Sequence, residues 1–245
     1  MQLELPRTID LMRFASALER NGNRRVASTL RSAWRAQSCA ADLQQCQGIC
    51  DSLNNLESLS SALDPDAMWQ IRSGLLASAI MLYARATSTG GSSKERGSIQ
   101  LDAKKLTREQ REDHEILIRL RNGAVGHVET SAKIGSDFWH RDFLFAKAVD
   151  FGGWQFASAS TSIGFLFDTF ERLKMQLPVA MTLIGEKVSD WFKAAIEAVD
   201  SLKPDESMLK RFEVDPLEYF GSPEVATVAL GGKAGEHGSA WLPVR

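Results

Sequence analysis

An arginine, an asparagine and a histidine lie close together in residues 118–129, IRLRNGAVGHVE. The guanidinium of Arg121 stays charged at any working pH, and its planar fork matches the oxygens of a phosphate. His127 titrates near neutrality, so its imidazole can accept and return a proton. Asn122 can hydrogen-bond a phosphate or orient His127. Together these groups suit metal-free RNA cleavage, which needs a base for the ribose 2′-hydroxyl and a cation for the phosphate.

The spacing of these groups leaves two interpretations open. In a straight helix, six positions separate Arg121 and His127 by about 120° and by roughly 9 Å along the axis. A bend at the glycines of this stretch, or a second copy of the chain, would have to bring them together. In the other interpretation, His127 is a helix C-terminal cap or dipole partner. Arg121 then pairs on the surface with Glu115 or Glu129.

The motif resembles the signature of the HEPN family of small helical bundles. That signature is an arginine, a polar neighbour, and a histidine after four to six intervening residues, and Arg121, Asn122 and His127 satisfy it with five. Residues 82–86, LYARA, are similar to a helix found ahead of the motif in bacterial members. The resemblance covers about residues 66–127.

The resemblance implies a function as well as a fold. It implies a metal-independent endoribonuclease of the toxin–antitoxin or phage-defence type, which acts on RNA, uses no cofactor and leaves a 2′,3′-cyclic phosphate. It also implies a homodimer whose paired motifs line one cleft, and a neutralising protein partner. Because many such proteins keep the fold without the activity, the alternative is a non-catalytic helical module that binds RNA, a nucleotide or a protein, or that dimerises.

A second candidate site is an arginine series near the N-terminus. Its members follow one another at spacings of 7, 4, 7 and 4, so they would share one face of a continuous helix. Such a face could bind RNA phosphates. The alternative is a solvated helix face, or one that is paired with the acidic residues of 186–220. The series comprises Arg13, Arg20, Arg24, Arg31 and Arg35.

The elements that must position these residues are predicted to be helical. Apolar residues recur at helical spacing over most of the chain, and Asn21–Asn23 indicates a turn. The sequence therefore predicts an all-α bundle with one small β-hairpin after the motif, formed by residues 143–149 and 154–159. We expect N-terminal helices in 1–63, a HEPN-like helical domain in 64–203 and an irregular tail in 204–245.

Composition sets further bounds. The 245 residues are 44% hydrophobic and carry a net charge of −2, which excludes nucleic-acid binding through bulk positive charge. The absence of a long apolar run argues against a membrane span, and a cytoplasmic protein is expected.

His114, in the charged run REDHE, is expected on a solvated face. The three cysteines share a helical seam with leucines, which indicates core packing rather than a metal site, and no metal is expected. They are Cys39, Cys46 and Cys50.

Overall fold

The structure is a computed structural model, and helices dominate it. It describes residues 8–56, 64–88, 96–125, 133–134, 137–138, 140–149, 153–162 and 167–230. The predicted all-α fold class with a β-hairpin after the motif is confirmed. The helices are α1 (Leu11–Arg20), α2 (Arg24–Leu56), α3 (Pro65–Thr87), α4 (Arg108–Leu120), α5 (Phe167–Leu202), α6 (Glu206–Lys210), α7 (Pro216–Phe220) and α8 (Pro223–Leu230).

The strands form antiparallel pairs. Strand β1 pairs with β6, β2 with β3, and β4 with β5 in a hairpin of ten residue pairs. The strands are β1 (Thr8–Ile9), β2 (Lys133–Ile134), β3 (Asp137–Phe138), β4 (His140–Val149), β5 (Gly153–Ser162) and β6 (Glu213–Val214).

The chain divides into two compact units. The first contains residues 1–41 and 185–245, and the second contains residues 42–184. Helices α2 and α5 are long enough to contribute residues to both units. The three-part division into 1–63, 64–203 and 204–245 stays a prediction.

The first unit begins with a capped helix and a tight turn. The Asp10 carboxylate accepts hydrogen bonds from the backbone N–H groups of Met12 and Arg13, which caps α1. Helix α1 ends at Arg20, and Gly22 takes a φ of +85° that a residue with a Cβ rarely adopts. The chain therefore turns where the sequence predicts, and α2 starts in a new direction.

An apolar cluster holds the first unit together. The rings of Phe14 and Phe212 meet edge to face, with centroids 5.3 Å apart. Leu18 and Leu30 are buried in the same cluster, so α1 and the first half of α2 pack on it. Ala195 brings the second half of α5 to this core.

In the second unit, local signals place the helix ends. Asp64 caps α3 through the N–H groups of residues 66 and 67, and Pro65 occupies the first turn. Thr107 and Gln110 form a capping box at the start of α4. The caps set where the helices begin, and the apolar faces of α3 and α4 bury Tyr83 and Leu117 completely.

The cysteine seam of α2 is buried, which confirms the prediction of core packing. Cys39, Cys46 and Cys50 are at most 1% exposed and form no disulfide. In the second unit, the Cys46 thiol donates a hydrogen bond to the Ala79 carbonyl of α3 over 3.3 Å. A hydrogen bond with the neighbouring Cys50, together with burial, raises the pKa of the Cys46 thiol, so this thiol stays protonated at neutral pH.

A buried carboxylate joins three segments of the second unit. Asp42 of α2 accepts hydrogen bonds from Nε and Nη2 of Arg85 on α3, at 2.9 and 2.5 Å. Nη2 of Arg96 approaches the same carboxylate at 2.5 Å and also donates to the Arg85 carbonyl. The backbone N–H of Ile99 bonds the carbonyl of Ala86, which ties the segment after Arg96 to the end of α3.

Two long helices run without interruption. Helix α2 continues to Leu56 because residues 36–38, Ala-Gln-Ser, contain no helix breaker. Helix α5 continues through Pro178, which lies inside it. A proline removes one backbone donor, but Leu177 and Ala180 on either side are fully buried. Their packing favours a continuous helix over a break.

The region after residue 204 is more regular than expected. The segment predicted to be irregular forms α6, β6, α7 and α8 between residues 206 and 230. Asp205 and Asp215 cap α6 and α7 through backbone N–H groups. Short capped helices are hard to predict because they lack a long hydrophobic period. Residues 231–245 lie outside the described part.

Candidate functional site

The predicted motif begins where α4 changes its helical form. Directly after Leu120 the chain makes a π-helical turn over residues 121–125, so Arg121 and Asn122 lie in this turn. Gly123 is buried within it. A π-helical turn widens the backbone and is often found at functional sites. The chain therefore changes its helix type in the turn that contains Gly123.

Arg121 and Asn122 are in direct contact. Nη1 of Arg121 donates a hydrogen bond to Oδ1 of Asn122 over 2.9 Å. Asn122 is exposed and Arg121 is half-buried. Nε of Arg121 is buried and makes no hydrogen bond within the described residues. Asn122 therefore orients the guanidinium, whose remaining N–H groups are the donors that a phosphate would use.

His127 lies outside the described residues, and so does Glu129, one of the alternative partners of Arg121. The convergence of Arg121 and His127 on one phosphodiester stays a prediction, as does the catalytic role of all three motif residues. Of the motif, the described part contains the arginine, its polar neighbour and the turn that carries them.

His114, which the sequence places on a solvated face, is half-buried and contacts a buried tyrosine. Nδ1 of His114 lies 2.8 Å from the hydroxyl of Tyr83, and the two rings meet edge to face at 5.7 Å. The expectation of a solvated face is therefore wrong. Burial lowers the pKa of His114, which keeps the ring neutral at pH 7. Tyr83 is fully buried, and burial raises the pKa of its hydroxyl.

His114 also shares a helix face with the motif. It precedes Arg121 by seven residues, which is two turns of α4 or about 10 Å along the axis. Leu117 lies between them on the same side and is fully buried. Asp113, which directly precedes His114, forms an ion pair with Arg172 of α5. The sequence shows the spacing of His114 and Arg121, but Tyr83 comes from another helix and no local pattern points to it.

The N-terminal arginines do not lie on one continuous helix. The turn at Gly22 separates Arg13 and Arg20 on α1 from the others on α2, so the continuous helix that a shared face requires is not formed. Arg31 pairs with Glu19 across this turn at 2.6 Å, which offsets its charge. The side chains of the other α2 members, Arg24 and Arg35, are exposed.

The structure adds a different arginine to this surface. Arg13 and Arg20 line an open groove of about 510 Å³, and Arg211, which follows α6, lines it as well. The groove lies entirely within the first unit. Arg211 is almost 200 residues away in sequence, so the spacing of the N-terminal arginines could not reveal it.

Within the part of the chain that the structure describes, no cluster of histidine, cysteine and acidic residues could hold a metal ion. Within the same residues, none of the helices has the length and apolar character needed to span a bilayer. Comparison with models of known protein families, with curated proteins and with solved structures gives no match.

Proposed function

We propose that the chain is a metal-independent endoribonuclease of the HEPN type. In this proposal His127 takes the proton from a ribose 2′-hydroxyl, and the 2′-oxygen attacks the adjacent phosphorus. The bond from phosphorus to the 5′-oxygen breaks, and the leaving oxygen takes up a proton. Arg121 stabilises the charge that develops on the phosphate oxygens, and Asn122 orients the guanidinium. The products are a 2′,3′-cyclic phosphate end and a 5′-hydroxyl end.

One observation supports this proposal most directly. The hydrogen bond from Arg121 to Asn122, in a π-helical turn at the end of α4, holds a half-buried guanidinium in a defined orientation. A surface arginine that serves solubility alone needs no such orientation. Asn122 is exposed beside it, so a phosphate from solvent can reach this end of the helix.

The test is RNA digestion in excess EDTA. We expect His127→Ala to lower the cleavage rate by about 100-fold or more, as for loss of a general base. Arg121→Ala is expected to lower the rate by a similar factor. Arg119→Ala is the matched control, because Arg119 is exposed on the same helix two residues away. It should change the rate by less than about twofold, since it takes no part in the proposed chemistry.

A further variant separates the two histidines of this region. If His114→Gln abolishes cleavage and His127→Ala does not, the base has been assigned to the wrong residue. If the wild type and both motif variants cleave equally, or if cleavage requires a divalent ion, the ribonuclease proposal fails. A cyclic phosphate on the product, detected by mass spectrometry, checks the chemistry independently.

The alternative function is a non-catalytic module that binds RNA. The groove lined by Arg13, Arg20 and Arg211 supports this candidate, because three cations at one opening suit a phosphate backbone. Fluorescence anisotropy with single-stranded RNA tests it. Replacing Arg13 and Arg20 by alanine should weaken binding and flatten its salt dependence, whereas Arg35→Ala should not. Equal affinities for all variants would exclude the groove.

A further inference from the structure

The β4–β5 hairpin is a regular two-stranded ribbon. Its ten residue pairs follow one another without a bulge, from His140 opposite Ser162 to Val149 opposite Gly153. Side chains alternate between the two faces of such a ribbon, and paired residues share a face. We call the residues Leu144, Ala146, Ala148, Trp154, Phe156 and Ser158 on one side the Trp154 face; the register continues this side through the pairs of Asp142 with Ser160 and His140 with Ser162.

The Trp154 face is apolar and lies open to solvent. Leu144 is 77% exposed, Phe156 71% and Trp154 68%. The described small residues between them are exposed too, so nothing in the described part of the chain covers this side. An exposed patch of large apolar side chains typically marks an interaction surface.

The hairpin would be more stable if another surface packed against the Trp154 face. A two-stranded hairpin alone is marginally stable in water, and it needs further strands or a packed face to persist. None of the six members of the Trp154 face is charged, and the next residue of β4 on the same side is the acidic Asp142. A polyanion such as RNA would find no cation among these six residues, since Lys147 lies on the opposite face. The chemistry of the patch fits an apolar protein surface.

We propose that the Trp154 face packs against the same face of a second copy of this chain. The register supports this, because each of the three pairs of the Trp154 face joins one large side chain to one small one. The pairs are Leu144 with Ser158, Phe156 with Ala146, and Trp154 with Ala148.

A twofold axis along the strands, midway between two stacked faces, places β4 of one copy over β5 of the other. Leu144 then lies over Ser158 of the second copy, Phe156 over Ala146 and Trp154 over Ala148. Each large side chain meets a small one, which is the interdigitation of packed sheets.

The area of the patch is sufficient for a weak dimer. An aromatic side chain contributes roughly 150–250 Å² when fully covered. Allowing for the exposed fractions, the three large side chains of two copies remove about 900 Å² from solvent. With the intervening alanines, the total reaches the roughly 1,000 Å² of a specific interface. We expect a reversible dimer at micromolar concentrations. The inference does not depend on the proposed ribonuclease activity.

Sedimentation velocity over roughly 1–100 µM of the full chain tests the proposal. The wild type should form dimers, and Phe156→Ser should weaken the association by at least about tenfold. Ala146→Phe is the sharper variant, because it enlarges the apolar area yet fills the space that Phe156 of the second copy would occupy. A specific interface should be lost, whereas nonspecific hydrophobic association should become stronger.

Phe145→Ser is the matched control. Phe145 is 51% exposed on the opposite face and stacks on Phe143 with ring centroids 5.5 Å apart. Its replacement removes a large exposed side chain and loosens the hairpin without touching the Trp154 face, so dimers should persist. The proposal is overturned if the wild type stays monomeric, if Phe145→Ser and Phe156→Ser act alike, or if Ala146→Phe leaves or strengthens the dimer.

Discussion

Removing the Asp42 carboxylate should strongly destabilise the second unit. In Asp42→Ala the guanidinium groups of Arg85 and Arg96 lose the acceptor that they share at 2.5 Å. The Arg85 side chain is 56% exposed, so water can replace its lost bonds. The Arg96 side chain is only 15% exposed, so it would lose a carboxylate partner where water has little access, although its bonds to the Gly97 and Arg85 carbonyls remain. Most of the lost stability should therefore come from the changed surroundings of Arg96.

The magnitude follows from these exposures. Breaking a fully buried ion pair from one side costs about 3–5 kcal/mol, and the exposed Arg85 lowers that figure here. We expect Asp42→Ala to reduce the free energy of unfolding by about 3 kcal/mol. Asp42→Asn keeps the shape and one acceptor but loses the charge, so about half of that loss is expected.

Urea unfolding followed by circular dichroism measures these losses. Glu112→Ala is the control, because Glu112 pairs with Arg108 at the surface, where the two side chains are 56% and 92% exposed. Such a pair contributes less than about 0.5 kcal/mol. The double variant Asp42→Ala/Arg96→Ala should be no less stable than Asp42→Ala alone, because it also removes the guanidinium that has lost its carboxylate partner.

Two results would contradict this prediction. If Asp42→Ala loses no more stability than Glu112→Ala, the carboxylate does not hold the segment after Arg96 to α3. If the losses of Asp42→Ala and Arg96→Ala are simply additive, the two side chains act independently and the explanation through Arg96 fails.

Two further predictions concern protonation and thiol access. Because burial lowers the pKa of His114 below its unfolded value of about 6.5, the unfolded chain binds this proton first as the pH falls, so stability should decrease below about pH 6.5. His114→Gln should show a shallower decrease in urea midpoint between about pH 7.5 and 5.5, and an unchanged slope would contradict this assignment. Because Cys39, Cys46 and Cys50 are buried, a thiol reagent should label none of them in the native protein and all three after denaturation. Rapid native labelling of any one would show that the α2 seam opens.

Several parts of the fold could be predicted because their signals are local. A capping aspartate before Pro65, the capping box at Thr107 and the turn at Gly22 act within a few residues, so the sequence alone places those helix ends. Hydrophobic spacing likewise identifies the buried seam of α2. The hairpin is also visible in the sequence, although its strands extend about three residues beyond the predicted bounds at one end of each.

The candidate site was only partly predictable. The motif spacing locates Arg121 and Asn122, but their hydrogen bond depends on the π-helical turn, which has no sequence period of its own. The spacing of the N-terminal arginines places them on one face only if they belong to one continuous helix. Because the chain turns at Gly22, Arg13 and Arg20 instead share a groove with Arg211.

By itself, the sequence determined the helical class, the main helix ends and the residues of the motif, since neighbours in the chain decide each of these. Tertiary structure alone decided which distant groups meet. Tyr83 reaches His114 across 31 positions, and Asp42 meets arginines 43 and 54 positions away. It also decided that Leu144, Trp154 and Phe156 stay outside a core, because burial depends on what the rest of the chain places above a face.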